Sequence, residues 1–222
     1  MALGEMVEVP AGVFQYGHEK QPVEIDRPFQ IDIYPVTNRQ FEEFIRDNGY
    51  QNDDIWSDEG RKWRQKNGIK LPAFWNDQKW NLPEHPVVGV SFYEAQAFAK
   101  WAGKELSSEQ QWERAARGTD GRKYPWGDKF DREKCNTQES GIGKTTRVTR
   151  YPHGISPVGC YDMAGNVWEW TQSYDDDEKD LIVLRGGCWD DYQDAARCAF
   201  RTRFDPFYRT GFVGFRCVRT LT

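Results

Sequence analysis

Residues 184–218 read L-R-G-G-C-W-D-D-Y-Q-D-A-A-R-C-A-F-R-T-R-F-D-P-F-Y-R-T-G-F-V-G-F-R-C-V. Arginine stands at 185, 197, 201, 203, 209 and 216, and the positions between carry aromatic, Asp, Thr and Gly residues. A guanidinium offers five donors in a rigid fork, so one reading of the arginines is a frame that holds loop carbonyls still. The other is a set of contacts for an anionic ligand. Aromatic side chains supply large, rigid contact area, and Asp, Thr and Gly supply adaptable polar contact around them. The stretch 185–218 therefore predicts a scaffold presenting a binding surface. Its contact residues are Asp190, Asp191, Tyr192, Asp194, Phe200, Thr202, Phe204, Asp205, Phe207, Tyr208, Thr210, Gly211 and Phe212. Pro206 forces a loop among them, which favours display. Trp189 reads as a core plug beneath this surface.

Upstream of this stretch, helix grammar is explicit. Thr37-Asn38-Arg39-Gln40 before Phe41, Phe44 and Ile45 forms a capping box that opens a helix, with Asn48-Gly49 as its stop. Ser91 and Glu94 open a second, whose inner face carries Phe92, Ala95, Phe98, Ala99 and Ala102 before Gly103. Ser107 or Ser108 caps a short third helix with Trp112, Ala115 and Ala116, closed by Gly118. From about residue 119 onward helical period disappears, and short apolar pieces alternate with Gly, Pro, Asp and Asn. Residues 51–84, with four Trp among charges, read as a surface insertion of low regularity. No linker composition interrupts the chain, so 1–222 is expected to be one α+β domain: two main helices, small antiparallel sheets and long loops.

The totals narrow the function. At 222 residues the chain buries about 70% of its unfolded surface without staples. With ten Trp and thirteen Phe, its core is expected to be built from rings. A net charge of −5 opposes phosphate neutralisation, so nucleic acid is not expected as a partner. No apolar run reaches the roughly 18 residues of a membrane span, and the first residues lack an export signal. The expected location is cytoplasmic or virion-associated, without membrane insertion. Five cysteines, an odd number with no C-x-x-C, read as reduced thiols, although spacing alone excludes no single bridge. G-I-G-K-T-T at 141–146 lacks the first Gly of a phosphate loop.

In order, P-V-T-N-R-Q-F-E-E-F at 35–44, H-P-V-V-G-V-S-F-Y-E-A-Q-A-F-A-K-W-A-G-K at 85–104, L-S-S-E-Q-Q-W-E-R-A-A-R-G at 106–118 and Y-P-W-G-D at 124–128 form a series. It continues with M-A-G-N-V-W-E-W-T at 163–171, L-R-G-G-C-W at 184–189 and G-F-R-C-V at 214–218. Together they resemble the formylglycine-generating-enzyme-like (sulfatase-modifying factor) family, which implies a C-type-lectin-like fold over nearly the whole chain. The enzyme branch carries two copper-binding cysteines soon after the position of Gly187. The resemblance aligns Asp191 and Ala196 with them, and neither supplies the soft thiolate that Cu(I) needs. The sulfoxide-forming branch uses iron-binding histidines from an additional helical domain, whereas the histidines here are His18, His85 and His153, not at ligand spacing.

The stretch also resembles the variable proteins of diversity-generating retroelements, whose C-terminal cassettes are rewritten at adenines between fixed arginines. All thirteen predicted contact residues are reachable from an Asn codon by changing adenines; Glu, Lys, Gln, Met and Trp are not, and none occurs at those positions. That resemblance implies a non-catalytic protein recognising a macromolecular, expectedly protein, ligand, with no required cofactor. The alternative is a formylglycine-generating-type oxidase or related metal-dependent enzyme with a metal site relocated to Cys188 and Cys198. A third is a sensor or effector module of a larger protein. Asn166 and Glu169, an amide oxygen and a carboxylate with carbonyls between, suit a structural Ca2+, and related folds bind calcium there. The competing reading has Asn166 ending a turn, Trp168 and Trp170 in the core and Glu169 paired with an arginine. Asn136, with Ser140 at its partner position, is a second calcium candidate by resemblance.

Overall fold

The computed structural model describes residues 4–221. Helices begin where a side-chain oxygen can take an otherwise orphaned N–H. The capping boxes of α1 (Asn38–Arg46) and α3 (Phe92–Trp101) form as expected, on Thr37/Gln40 and Ser91/Glu94. Of the two serine candidates, Ser108 caps α4 (Glu109–Arg117), reciprocated by Gln111. No α-helix follows Arg117 among the described residues; Arg132–Lys134 and Gln138–Ser140 are single 3-10 turns.

The low regularity expected of 51–84 is corrected by α2 (Asp58–Asn67). Its signals are local: Ser57 caps Gly60 N–H, Asp58 and Glu59 sit in the first turn, Arg64 and Lys66 in the last, and Gly68 closes it. Hydrophobic period misses this helix because its inner side carries Gly60 and Arg64 instead of apolar residues. The segment also enters the core. Trp56 is buried and donates its indole N–H to Gly49 O at 2.9 Å, with the Arg64 guanidinium over its ring.

Strands β1 (Met6–Val9), β4 (Phe29–Asp32), β5 (Glu105–Leu106) and β10 (Cys217–Thr220) form one sheet in the order β1-β4-β10-β5. A hairpin of β2 (Gly12–Tyr16) and β3 (Gln21–Ile25) stands apart. The third sheet has the order β8-β7-β6-β9, from β6 (Trp168–Tyr174), β7 (Ile182–Arg185), β8 (Arg201–Phe204) and β9 (Val213–Phe215). An entirely antiparallel arrangement is corrected here, since β6 and β9 pair in parallel through Trp168↔Val213 and Trp170↔Phe215. The parallel pair follows from the path of the chain: β8 lies on one edge of the sheet, and residues 205–212 carry the chain across to the opposite edge.

Rings build the larger core. Phe41 stacks on Phe98 at 5.5 Å and meets Phe44 at 5.1 Å, while Phe215 and Trp170 close the cluster from the third sheet. A second cluster centres on Phe29, Ile31, Trp112 and Val218. All five cysteines are buried and unbridged.

Candidate recognition face

The arginines of 185–216 are all paired or bonded to carbonyls; Arg185 and Arg216 are fully buried, whereas Arg203 is 46% exposed. Arg216, fully buried, forms a double hydrogen bond with Glu169 at 2.7 and 2.8 Å and donates to the carbonyls of Asp32, Ile33 and Tyr161. Arg185, equally buried, pairs with Glu113 and donates to the carbonyls of Ala199 and Phe200 at 3.1 Å, fixing the start of β8. Arg209 pairs with Glu94 of the α3 capping box and reaches Gly89 O and Leu71 O. Arg201 pairs with Glu109 and Asp175, Arg203 with Glu178, and Arg197 donates to Asp194 O. Arg185, Arg197, Arg209 and Arg216 each hold at least one backbone carbonyl, which is the geometry the framing reading expects.

Two glycines let the frame close. At Gly187, φ is +72° and an added Cβ would stand 2.9 Å from Ala195 O; at Gly214 it would stand 2.7 Å from Val87 O. A side chain at either position would push the segment off its sheet.

With the arginines spent, rings and carboxylates take the outside. A pocket of about 320 Å³ opens between β6, β8 and the 188–195 turn, walled by Trp168, Phe200, Phe204 and Phe212 with Asp190 and Asp191. Phe204 lies tilted against Tyr208 with ring centroids 4.6 Å apart. Beyond the next residue, Asp205, Pro206 and Phe207 line a second pocket of about 330 Å³, completed by Tyr93 of α3 and by Tyr174 and Asp180. Phe207 is 52% exposed and Tyr208 38%, while Phe204 and Phe212 are half-buried against the larger core.

The thirteen predicted contacts therefore divide. Asp190, Asp191, Phe200, Thr202, Phe204 and Phe212 share the first pocket, and Asp205 and Phe207 the second, with Tyr208 beside Phe204. Tyr192, 65% exposed, and Asp194 lie on the neighbouring turn outside both pockets. Thr210 and Gly211 line neither pocket: Thr210 O accepts from Gly89 N–H, and an added Cβ at Gly211 would meet the Trp80 ring at 3.0 Å. Trp189 is a half-buried prop instead of a core plug, tilted against Trp80 at 5.7 Å and donating to Gly211 O. Sequence reasoning missed Tyr93 and Gln96, which line the second pocket. Their signal is an i, i+3 pair beside the apolar stripe of α3.

The calcium donors do not fit an ion. Asn166 Oδ1 accepts from Thr146 N–H at 2.9 Å and Asn136 Nδ2 at 3.1 Å, and its own amide donates to Thr146 O and Asp162. Glu169 already faces a cation, Arg216, and accepts the Trp112 indole N–H at 2.6 Å. Asn136 Oδ1 accepts from Ser140. Asn166 takes φ +69°, as the turn reading required.

The thiols are equally committed. Cys188 Sγ lies 3.0 Å from Asp191 Oδ2, which also accepts Cys188 N–H; burial first, then the Asp191 charge, hold this thiol well above the usual range. Burial pushes Cys198 up to about 12. Cys188 belongs to the larger core and Cys198 to the second, so the two do not converge as ligands. Ala196 is buried and apolar.

Known proteins share this architecture. The chain is 36% identical over 262 residues to the bovine (Bos taurus) inactive C-alpha-formylglycine-generating enzyme 2, covering 96% of this chain and 87% of that protein. It is also 36% identical to hercynine oxygenase of Mycobacterium tuberculosis over 228 residues, covering 86% of this chain but 53% of the enzyme. Among solved structures, PvdO from Pseudomonas aeruginosa superposes with a TM-score of 0.74 at 23% identity, covering 97% of this chain and 94% of that one. Treponema denticola variable protein 1 follows at 0.73 and 19%, covering 100% and 98%. At such identities the two structures share the fold. The sulfatase-modifying factor enzyme 1-like domain matches residues 1–221, and the chain belongs to that family.

Proposed function

We propose that this chain is a non-catalytic recognition domain that grips a protein partner through residues 190–208 and 212, in the manner of retroelement variable proteins. The observation that carries this reading is the pair of ring-walled pockets lined by the same segment, with Phe207 and Tyr208 exposed on it. Rings held this way by an arginine frame lose little freedom on binding, which is how a preformed surface gains affinity. The non-catalytic half rests on Asp191 and Ala196 at the aligned positions of the copper thiols and on a Cys188 thiol already bound to Asp191. The bovine relative described as inactive is in keeping with it.

Replacing Phe207 and Tyr208 together with Ala tests the reading. Peptides selected on the wild-type chain from a random display library should lose binding to this variant, with the thermal midpoint shifted by no more than about 2–4 °C. Peptides that bind the variant undiminished would refute the assignment of the face. The similarity to hercynine oxygenase favours one rival, a metal-dependent enzyme. Stoichiometric Cu(I) held by Cys188 or Cys198, with both thiols protected from alkylation, would establish that rival instead.

A further inference from the structure

The recognition reading names a face; its charges name the partner. Every arginine of the face is already neutralised by a carboxylate: Arg201 by Glu109 and Asp175, Arg203 by Glu178, Arg209 by Glu94, and Arg197 by Asp194 at 3.6 Å. The carboxylates lining the pockets are not. Asp190 and Asp191 in the first pocket, and Asp205, Asp180 and Glu59 in the second, form no ion pair among the described residues, and no Lys, Arg or His lines either pocket. Asp191 spends one oxygen on Cys188 and keeps the other. Each pocket thus combines aromatic walls with unpaired negative charge.

We infer that the partner presents lysine or arginine side chains, one to each pocket, from a single basic segment; this rests on the recognition reading above. The stem of such a side chain is apolar and its head cationic, matching ring walls that give way to carboxylates. A cation over a ring face is attracted by the ring's negative π cloud, more strongly as water is excluded. A neutral apolar anchor would fill the same space but bury Asp190 or Asp205 without a partner, which opposes binding. An acidic anchor, or a nucleic-acid phosphate, meets like charge. Phe204 walls the first pocket and Asp205, the next residue, lines the second, so the two pockets border one another along the chain.

The test uses an acetylated, amidated Arg-Gly-Arg-Gly-Arg peptide and its Glu-Gly-Glu-Gly-Glu counterpart, titrated into the full chain and followed by the Trp indole NMR signals. The arginine peptide should bind, perturb the Trp168 signal and weaken as NaCl rises from about 50 to about 300 mM. The glutamate peptide should not bind. Asp190→Asn combined with Asp205→Asn should weaken the arginine peptide about tenfold or more, while the fold, read by the remaining indole signals, stays unchanged. Equal or tighter binding of the glutamate peptide, indifference to the Asp replacements, or no binding of the arginine peptide at millimolar concentration would overturn the inference. If library-selected neutral or acidic peptides still depend on Phe207 and Tyr208, the recognition reading stands and only the charge assignment falls. If nothing depends on those rings, both fall.

Discussion

Two sets of charges meet around residues 185–216 and behave oppositely. Beneath the face, Glu169, Glu113, Arg216 and Arg185 are buried in paired, hydrogen-bonded contacts that join the third sheet to α4 and to β4. On the face, Asp190, Asp205 and Asp180 stand without counter-ions among the described residues, beside exposed rings. The lesson is a division of labour by orientation. The buried arginines tie the scaffold together, whereas under the proposed function the carboxylates and rings would serve contact. Buried pairs add little net stability compared with apolar residues of the same shape, but breaking one strands a charge. That asymmetry lets a rigid frame coexist with a changeable surface.

The sharpest way to break the comparison is Arg216→Ala. It strands Glu169 and frees three carbonyls from β4 and the 161 turn, so urea unfolding should show a loss of about 3–5 kcal/mol. A loss under about 1 kcal/mol would mean that water reaches Glu169 and that the frame is not rigid.

A second prediction concerns Asp162, a buried carboxyl below the face that accepts one hydrogen bond, from Asn166 Nδ2, and has no partner for its other oxygen. Burial raises it to about 7, partly opposed by the Asn166 hydrogen bond and by Arg216. For an acid raised on folding, the unfolded chain ionises first, near pH 4. Its contribution is then fully present below that pH and is lost as pH rises to about 7, at up to about 1.4 kcal/mol per unit. Asp162→Asn should flatten that part of the stability profile between pH 4 and 7. An unchanged slope would place the carboxyl in contact with solvent.

How much of this was legible follows from range. Caps and their helices were readable because Thr37/Gln40, Ser91/Glu94 and Ser108/Gln111 act within one turn. The arginine frame was readable as a spacing, but not its partners. Glu109, Glu113 and Asp175 lie far away in sequence, and nothing local selects Glu113 over Glu109 for Arg185. The orientation of residues 205–212 was illegible for a different reason. Without strand or helix period no rule assigns inside and outside, so nothing local separates Gly211, which faces the Trp80 ring, from the exposed Phe207. The second pocket needed Tyr93 and Tyr174, which enter only through the packing of α3 and β6 against the display segment.

The finest division runs through the rings themselves. Phe204 touches Tyr208 and Phe212 and packs on the larger core, so Phe204→Ala removes buried contacts and should cost about 1–2 kcal/mol, less than the 3–5 kcal/mol of a fully buried Phe. Phe207, half in water, should cost no more than about 0.5 kcal/mol on replacement by Ala. The two substitutions should nonetheless weaken binding of the arginine peptide comparably, because each ring walls one pocket. A Phe204 whose loss harms stability alone would belong to the scaffold with the arginines, and the recognition face would then shrink to the second pocket and the rim of the first. Comparable loss of binding at such unequal cost in stability is what a surface built on a frame, and not out of it, requires.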